Sequence, residues 1–147
     1  MTIRDFEQLK HESDCAKTTM PSWAVPKDKF TDRTANGLTK LIVTFLNHQG
    51  AQAERINTTG RYLQGDTYTD VLGHKRVMKG KYIPGSGTSG SADISAVISG
   101  RAVKIEVKMK DKQSEAQRKY QADIERAGGL YWLVHNWEEF FSLYSKL

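Results

Sequence analysis

Apolar residues recur at helical spacing in the first half of the chain. They are Leu38, Leu41, Ile42, Phe45 and Leu46. Positions i, i+3, i+4, i+7 and i+8 form one stripe of an amphipathic helix, which buries that stripe against a core. Thr34 suits the N-cap of this helix and Gly50 suits its C-terminal stop, so we expect a helix between these two residues.

Four shorter segments have the composition of β-strands. Residues 51–56 follow the first helix, and residues 92–98 and 102–109 are rich in Val, Ile and Ala. The tight link at residues 99–101 joins the second and third segments, which predicts a β-hairpin. Residues 130–134 are a short apolar run, as expected of a buried strand.

Two further helices are predicted in the second half of the chain. Residues 114–127 carry apolar side chains on one face and end at Gly128-Gly129, a common helix stop. Asn136 can cap a last helix that bears aromatic residues. From residue 34 the order is therefore α-β-β-β-α-β-α. This order predicts an α/β fold with a mixed central sheet flanked by helices.

The remaining segments have weaker patterns. Residues 57–83 are rich in Gly, Thr and Tyr and predict a hairpin or a long loop, and residues 84–90 predict a turn-like lead-in to the next strand. Residues 1–33 combine a short apolar helix face with the chain breakers Pro21 and Pro26. We expect residues 1–33 to be an N-terminal arm that packs on the core or on a second subunit, and residues 34–147 to form the domain proper.

Length and composition indicate one globular domain. The chain has 147 residues, of which 38% are hydrophobic and 27% charged, enough for one core. No apolar run reaches the ~20 residues of a membrane span, and the first residues lack the apolar stretch of a secretion signal. The single Cys15 excludes an intrachain disulfide and a multi-cysteine zinc site. These features predict a soluble cytoplasmic protein with no membrane partner.

Basic residues outnumber acidic residues by 22 to 17, which gives a net charge of +5. Lys and Arg displace condensed counterions from phosphates, so a basic domain is a candidate for binding polyanions. The alternative, for each basic stretch, is a solvated charged surface without a partner. Eight basic residues are the predicted contacts to a phosphate backbone: Arg55, Lys75, Arg76, Lys79, Lys81, Lys110, Lys112 and Arg118.

The predicted hairpin brings two carboxylates and a lysine together. Side chains alternate between the faces of a strand, so Asp93 on one strand can share a face with Glu106 and Lys108 on the other. With the link at residue 100, Asp93 lies opposite a position near residue 107. Mg²⁺ prefers one or two carboxylates plus waters and phosphate oxygens, and Mn²⁺ suits the same ligands. The backbone carbonyl of Val107 is a candidate third ligand, and Lys108 can orient an attacking water or stabilise negative charge.

The residues of this constellation also have structural interpretations. Ser114-x-x-Gln117 is a capping box, in which both side chains satisfy free backbone N–H groups. Gln117 therefore either caps the helix alone or also positions a neighbour in the site. The acidic residues of the hairpin, likewise, can form a surface salt bridge with the lysines around them. The Gly-rich run at residues 85–90 lacks the Gly-Lys-Ser/Thr ending of a phosphate-binding loop, so we expect no organic cofactor.

Four motifs follow one another along the second half of the chain. They are Gly90-Ser91-Ala92-Asp93-Ile94, Ile105-Glu106-Val107-Lys108, Ser114-Glu115-Ala116-Gln117 and Ala127-Gly128-Gly129. In this order they resemble the VRR-NUC branch of the PD-(D/E)xK nuclease superfamily. The resemblance extends over residues 34–145 in the order of elements and over residues 90–134 in motif detail.

The resemblance implies a restriction-endonuclease-like fold, dependence on Mg²⁺ or Mn²⁺, and cleavage of DNA, which in some members is branched or junction DNA. By position, Asp93, Glu106 and Lys108 take the catalytic roles of the family, and Gln117 matches the glutamine on the helix after the catalytic strands. Two positions depart from the pattern. Ala92 stands where a proline is usual, and Asn36 is the nearest position to the glutamate that many members carry on the first helix.

The sequence therefore predicts a metal-dependent DNA endonuclease. A homodimer is expected, because a single small nuclease domain must pair to cut two strands symmetrically. Two alternatives stay open. One is a catalytically silent DNA-binding module of the same fold, and the other is an interaction protein whose hairpin carboxylates only form salt bridges.

Overall fold

The fold is described by a computed structural model, which covers residues 1–57, 60–83, 85 and 87–147. Within these residues the chain has four α-helices and a short 3-10 turn at Ser22–Ala24. The helices are α1 (Ile3–Ala16), α2 (Ala35–His48), α3 (Glu115–Arg126) and α4 (Trp137–Tyr144). The predicted mixed α/β class is confirmed. Thr58 and Thr59 of the predicted hairpin or loop, and Pro84 and Ser86 of the predicted turn, lie outside the described residues.

Eight strands are present in the same part of the chain. They are β1 (Gln52–Arg55), β2 (Arg61–Leu63), β3 (Thr67–Thr69), β4 (Lys75–Val77), β5 (Lys81–Ile83), β6 (Ile94–Ile98), β7 (Arg101–Val107) and β8 (Leu130–Val134). Four of them form the main sheet in the order β1-β6-β7-β8. Its two pairs β1–β6 and β6–β7 are antiparallel, and β7–β8 is parallel. The sheet is therefore mixed, because α3 returns the chain to run beside β7 in the same direction.

One face of the main sheet carries the hydrophobic core. Alternate residues of β6 and β7, such as Ile94 and Ile105, are buried on this face, as are Trp132 and Val134 of β8. They pack with α2 and α4 in a single cluster. The apolar stripe predicted for α2 is buried as expected, because only this face of the helix meets the sheet.

The N-terminal segment packs on the core of its own chain. Phe6 of α1 is fully buried, with its ring centroid 5.3 Å from that of Phe45 and 6.3 Å from that of Trp137. The indole N–H of Trp137 donates to the Met1 carbonyl oxygen at 2.9 Å. Leu9, which the sequence places on the same helix face as Phe6, is 38% exposed instead.

Residues 61–83 form a two-stranded ribbon outside the main sheet. Strand β2 pairs with β5 and strand β3 pairs with β4, both antiparallel. The sequence predicts one hairpin or a loop here, and the structure resolves it into two short ladders in succession. No helix in the described part of the chain is both long enough and apolar enough to cross a membrane.

Candidate active site

The β6–β7 hairpin sets the geometry of the candidate site. Its turn is Ser99-Gly100, both with positive φ (50° and 79°), as in the type I′ turns that favour tight hairpins. Ile94 pairs with Ile105, so the same register continued by one residue brings Asp93 opposite Glu106. The sequence placed Asp93 opposite a position near 107, one residue off. The strand itself begins at Ile94, after Asp93.

Asp93 is fixed on two sides, by its side chain against β7 and by its backbone against the residue that follows β1. Its Oδ2 accepts a hydrogen bond from the Val107 N–H at 3.0 Å. Its carbonyl oxygen accepts a hydrogen bond from the N–H of Ile56 at 2.7 Å, just after β1 ends. The carboxylate is thus held beside the residue whose backbone carbonyl is the predicted third metal ligand.

Glu106 is the buried charge of the site. Only 3% of its surface is exposed, although it lies on the sheet face opposite the core. Its Oε1 accepts a hydrogen bond from the Gln117 side-chain amide and lies 3.2 Å from Lys108 Nζ. Its Oε2 is buried, and no group in the described residues hydrogen-bonds it. One oxygen of the carboxylate is held in place and the other is left without a donor.

The electrostatics of the site favour a cation at this carboxylate. Burial raises the pKa of Glu106 above its usual value and the nearby Asp93 charge raises it further, while Lys108 and, more weakly, the backbone of Asp93 oppose both effects. A buried carboxylate with a raised pKa is stabilised either by taking up a proton or by a positive charge. Burial together with the Glu106 charge raises the pKa of Tyr131, on the adjacent β8, to about 12.

Gln117 performs both roles that the sequence left open. Its Oε1 accepts from the Ser114 N–H at 2.9 Å and its own N–H donates to Ser114 Oγ at 3.3 Å, which completes the capping box. Its Nε2 donates to Glu106. One amide therefore links the start of α3 to the buried carboxylate, so the position of the helix determines the orientation of Glu106.

Gly90 explains why the lead-in to β6 can approach α3 so closely. Its φ is +78°, and an added Cβ would overlap the Ala116 carbonyl and lie 2.7 Å from the Gln117 backbone nitrogen. Only glycine combines this conformation with this contact. The segment before Asp93 thus rests directly on the turn of α3 that carries Gln117, and the two sides of the site are locked together.

The donor atoms available here fit a hard divalent cation. Asp93 and Glu106 supply carboxylate oxygens, and the buried Glu106 Oε2 without a hydrogen-bond donor is an oxygen that a cation would satisfy. Mg²⁺ usually binds through one or two carboxylates and keeps several waters. No group of three or more His, Cys, Asp or Glu side chains with metal-ligand geometry occurs in the described ranges.

Three further polar residues lie on the same sheet face but were not assigned to the site from the sequence. Lys104 Nζ donates to Ser95 Oγ at 2.6 Å, directly across the hairpin. Tyr131 pairs in register with Lys104 from the other side. Strand alternation predicts that Ser95 and Lys104 lie on the face of Asp93 and Glu106, and this placement is confirmed. The position of Tyr131 beside Lys104 depends on the register of β8, which is set by the point at which α3 returns the chain to the sheet. The apolar run at residues 130–134 does not predict that point.

All eight predicted phosphate contacts are exposed. Lys75, Arg76, Lys79 and Lys81 lie on or beside strands β4 and β5 of the ribbon, Lys110 and Lys112 lie between β7 and α3, and Arg118 lies on α3. Arg55 pairs in register with Ile94 and donates to Asn36 Oδ1 at 2.7 Å. It therefore extends on the sheet face covered by α2, opposite to the face of Glu106.

Comparisons with known proteins add no assignment to this geometry. Neither the protein-family models nor the curated proteins give a match to this sequence.

Proposed function

We propose that this protein is a metal-dependent DNA endonuclease with a restriction-endonuclease-like fold. In this proposal Asp93 and Glu106, with the Val107 carbonyl, hold Mg²⁺ or Mn²⁺. The observation that carries the proposal is Glu106, a 3% exposed carboxylate with one oxygen fixed by Gln117 and Lys108 and the other without a hydrogen-bond donor among the described residues. The PD-(D/E)xK resemblance rests on these residues.

A purely structural salt bridge explains this arrangement less well. A buried acceptor without a partner costs about 1–3 kcal/mol, and more when it is charged. Structural carboxylates on a sheet surface avoid this cost by facing water. Glu106 instead lies under α3, beside a second acidic residue that raises its pKa. Such destabilising arrangements are found preferentially at functional sites.

Each residue of the site has a role that its contacts support. The Val107 N–H holds the Asp93 carboxylate, and Gln117 fixes the orientation of Glu106. Lys108 keeps a positive charge 3.2 Å from Oε1 of Glu106, from where it can donate to an attacking water or to a phosphate oxygen. When bound, a divalent ion would lower the pKa of a water and neutralise developing negative charge on the phosphate.

The charge of the chain favours a nucleic acid as the substrate. Seven of the eight exposed basic residues, all except Arg55, carry positive charge on the ribbon, on α3 and on the segment before α3, and they suit contacts to the phosphate backbone that fix position without reading sequence. We therefore propose cleavage that selects DNA structure, such as branches or junctions, more than base sequence. We also propose that the protein acts as a homodimer, so that two strands are cut by two equivalent sites.

The proposal is tested by cleavage of a labelled panel in the presence and absence of Mg²⁺ or Mn²⁺. The panel contains linear duplex, single strand, 5′ and 3′ flaps and a four-way junction, each as DNA and as RNA. Glu106→Ala is assayed beside the wild type, with Glu12→Gln on the distant and exposed α1 as the matched control. Binding to each substrate is measured in Ca²⁺ or EDTA, where no cutting is expected.

Metal-dependent cleavage of DNA that Glu106→Ala abolishes and Glu12→Gln retains would support the proposal. Retained binding by Glu106→Ala would assign the loss to the chemical step. Tight binding without cleavage of any substrate would instead favour a catalytically silent DNA-binding module. Preferential cleavage of RNA would support the proposed metal site but show that the substrate is RNA.

A further inference from the structure

The ribbon of residues 61–83 emerges beside the candidate active site. The chain leaves the main sheet at Arg55 and returns to it at Ile94, and these two residues are paired in register. The Ile56 N–H donates to the carbonyl oxygen of Asp93 at 2.7 Å. The chain segment that leads into the ribbon is therefore joined to the proposed metal ligand by a backbone hydrogen bond, and we expect a molecule held by the ribbon to lie near the site.

The two tyrosines at the base of the ribbon have a structural explanation. Tyr62 and Tyr82 are paired across β2 and β5, and both are more than half exposed. A Cβ added at Gly80 would overlap the Tyr62 ring, and one added at Gly60 would overlap the Tyr82 ring. Each tyrosine thus covers a glycine on the opposite strand, an arrangement that stabilises exposed ladders. Their exposure does not call for a partner.

The tip of the ribbon has no such explanation. Val71 is 103% exposed and Leu72 is 75% exposed, yet the loop that presents them is well organised. Asp70 Oδ1 accepts from the N–H groups of Leu72 and His74, both at 2.9 Å, and Asp70 Oδ2 accepts from Arg76 Nε at 2.6 Å. A fixed turn therefore holds two adjacent apolar side chains in water. Exposed apolar patches of this kind mark sites that bind a partner.

The charge around this tip indicates the class of partner. Residues 60–83 contain five basic and two acidic residues. The basic ones are Arg61, Lys75, Arg76, Lys79 and Lys81. A two-stranded ribbon fits the major groove of DNA, and proteins that distort DNA insert apolar wedges between base steps. An apolar tip on a basic ribbon combines the two features.

We propose that the ribbon is a DNA-binding arm whose Val71-Leu72 tip inserts into an interrupted base stack, at a branch, flap or nick. The inference rests on the proposed nuclease function and names the feature of the substrate that is recognised. Interrupted stacks are preferred because unstacking an intact duplex costs several kcal/mol, and less where the stack is already broken. The chain runs 15 residues from Ile56, beside the site, to Val71 at the tip, a reach of at most ~50 Å, or about 15 base pairs. Cuts are therefore expected within about 15 base pairs of the branch.

The test uses the double variant Val71→Ser/Leu72→Ser in the full chain. Both side chains are exposed, so the fold should be retained, which circular dichroism checks. Trp23→Ser, at another highly exposed apolar residue, is the matched control. All proteins also carry Glu106→Gln and are kept in EDTA, so neither readout depends on cleavage. The first readout is DNA binding, measured by fluorescence anisotropy. The second is the fluorescence of 2-aminopurine, a base analogue whose emission rises when it is unstacked. The analogue is placed at the branch point of a four-way junction or, for comparison, in a linear duplex.

With the tip intact, binding should raise the fluorescence of 2-aminopurine at the branch point. The tip variant should lose most of this rise and bind the junction about tenfold more weakly, equivalent to ~1.4 kcal/mol. Its binding to linear duplex should change by less than about twofold. The Trp23→Ser control should match the parent in both readouts.

Equal junction binding and equal fluorescence for parent and tip variant would overturn the proposal. It would also be overturned if the tip variant lost only its binding to vesicles of equal parts phosphatidylcholine and phosphatidylserine, since the tip would then insert into lipid. If the tip unstacks the branch but the wild-type protein, without Glu106→Gln, cuts no DNA in the presence of metal, the arm would be supported and the proposed nuclease contradicted. The failure of one proposal is thus distinguishable from the failure of the other.

Discussion

Replacing Glu106 by glutamine should stabilise the metal-free protein and abolish its stabilisation by divalent cations. The wild-type carboxylate is buried, and its Oε2 has no hydrogen-bond donor in the described part of the chain. An unsatisfied buried acceptor costs about 1–3 kcal/mol, and a charged one more, while Lys108 at 3.2 Å offsets part of this. The neutral amide keeps an oxygen that accepts from Gln117 and removes the buried charge.

We expect a net gain of about 1–2 kcal/mol in the free energy of unfolding at pH 7, the usual size for removing a functional destabilisation. For a chain of 147 residues this raises the Tm by roughly 3–6 °C. Glu12→Gln makes the same chemical change on an exposed helix face. It should alter stability by less than about 0.5 kcal/mol.

The advantage of the glutamine should depend on pH. The folded protein raises the pKa of Glu106 above its ordinary value of 4.5, so the folded state binds this proton more tightly than the unfolded state. The destabilisation therefore grows as the pH rises from 4.5 through the raised folded pKa, and it is complete above that value. The difference between wild type and Glu106→Gln should be full above the raised folded pKa and vanish below 4.5.

The assay is thermal unfolding of both proteins across pH, with and without Mg²⁺ or Mn²⁺. A cation at 100 times its dissociation constant stabilises the folded state by about 2.7 kcal/mol, so the wild type should gain roughly 5–11 °C and Glu106→Gln should gain almost nothing. The reasoning is refuted if Glu106→Gln is the less stable protein at pH 7 and the metal leaves the wild-type Tm unchanged. Glu106 would then be a satisfied structural carboxylate.

Three further substitutions test the parts of the site and fold. Gln117→Glu keeps the capping box but faces Glu106 with a second carboxylate, so cleavage should fall by about 10–100-fold and the like-charge contact should also lower the Tm of the metal-free protein; an unchanged rate would assign Gln117 to capping alone. Gly90→Ala should lower stability by about 1–3 kcal/mol more than Gly50→Ala in urea titrations, because both glycines have positive φ but only Gly90 is packed against another backbone; equal losses would mean that the close contact with α3 is unimportant. Phe6→Ala should cost about 3–5 kcal/mol, whereas a loss below ~1 kcal/mol would indicate an arm that is independent of the core.

Hydrophobic periodicity predicts the main elements of this fold because each of them meets the core along one face. The stripe from Leu38 to Leu46 and the run at residues 130–134 lie in α2 and β8 as expected. Exposed segments give a weaker signal, since nothing selects their apolar spacing. The four short strands of the ribbon are therefore not separable in the sequence from a loop.

The candidate site was predictable as far as strand alternation extends. The shared face of Asp93, Glu106 and Lys108 follows from the hairpin, and the error of one residue in register arises because the two-residue turn at Ser99-Gly100 was assigned three residues. Contacts that depend on helix packing were not predictable. The link from Gln117 to Glu106 requires the exact position of α3, which in turn depends on the missing side chain at Gly90.

The most direct test of the central claim is single-turnover cleavage of the preferred DNA substrate as a function of Mg²⁺ concentration. Wild type, Asp93→Asn and Glu106→Gln are compared, and DNA binding is measured separately in Ca²⁺. The wild-type rate should rise with Mg²⁺ and saturate. Both variants should lose at least about 10²–10³-fold in rate while their DNA affinity changes by less than about threefold. Rates within tenfold of the wild type in either variant would contradict the assignment of these carboxylates to the metal ion.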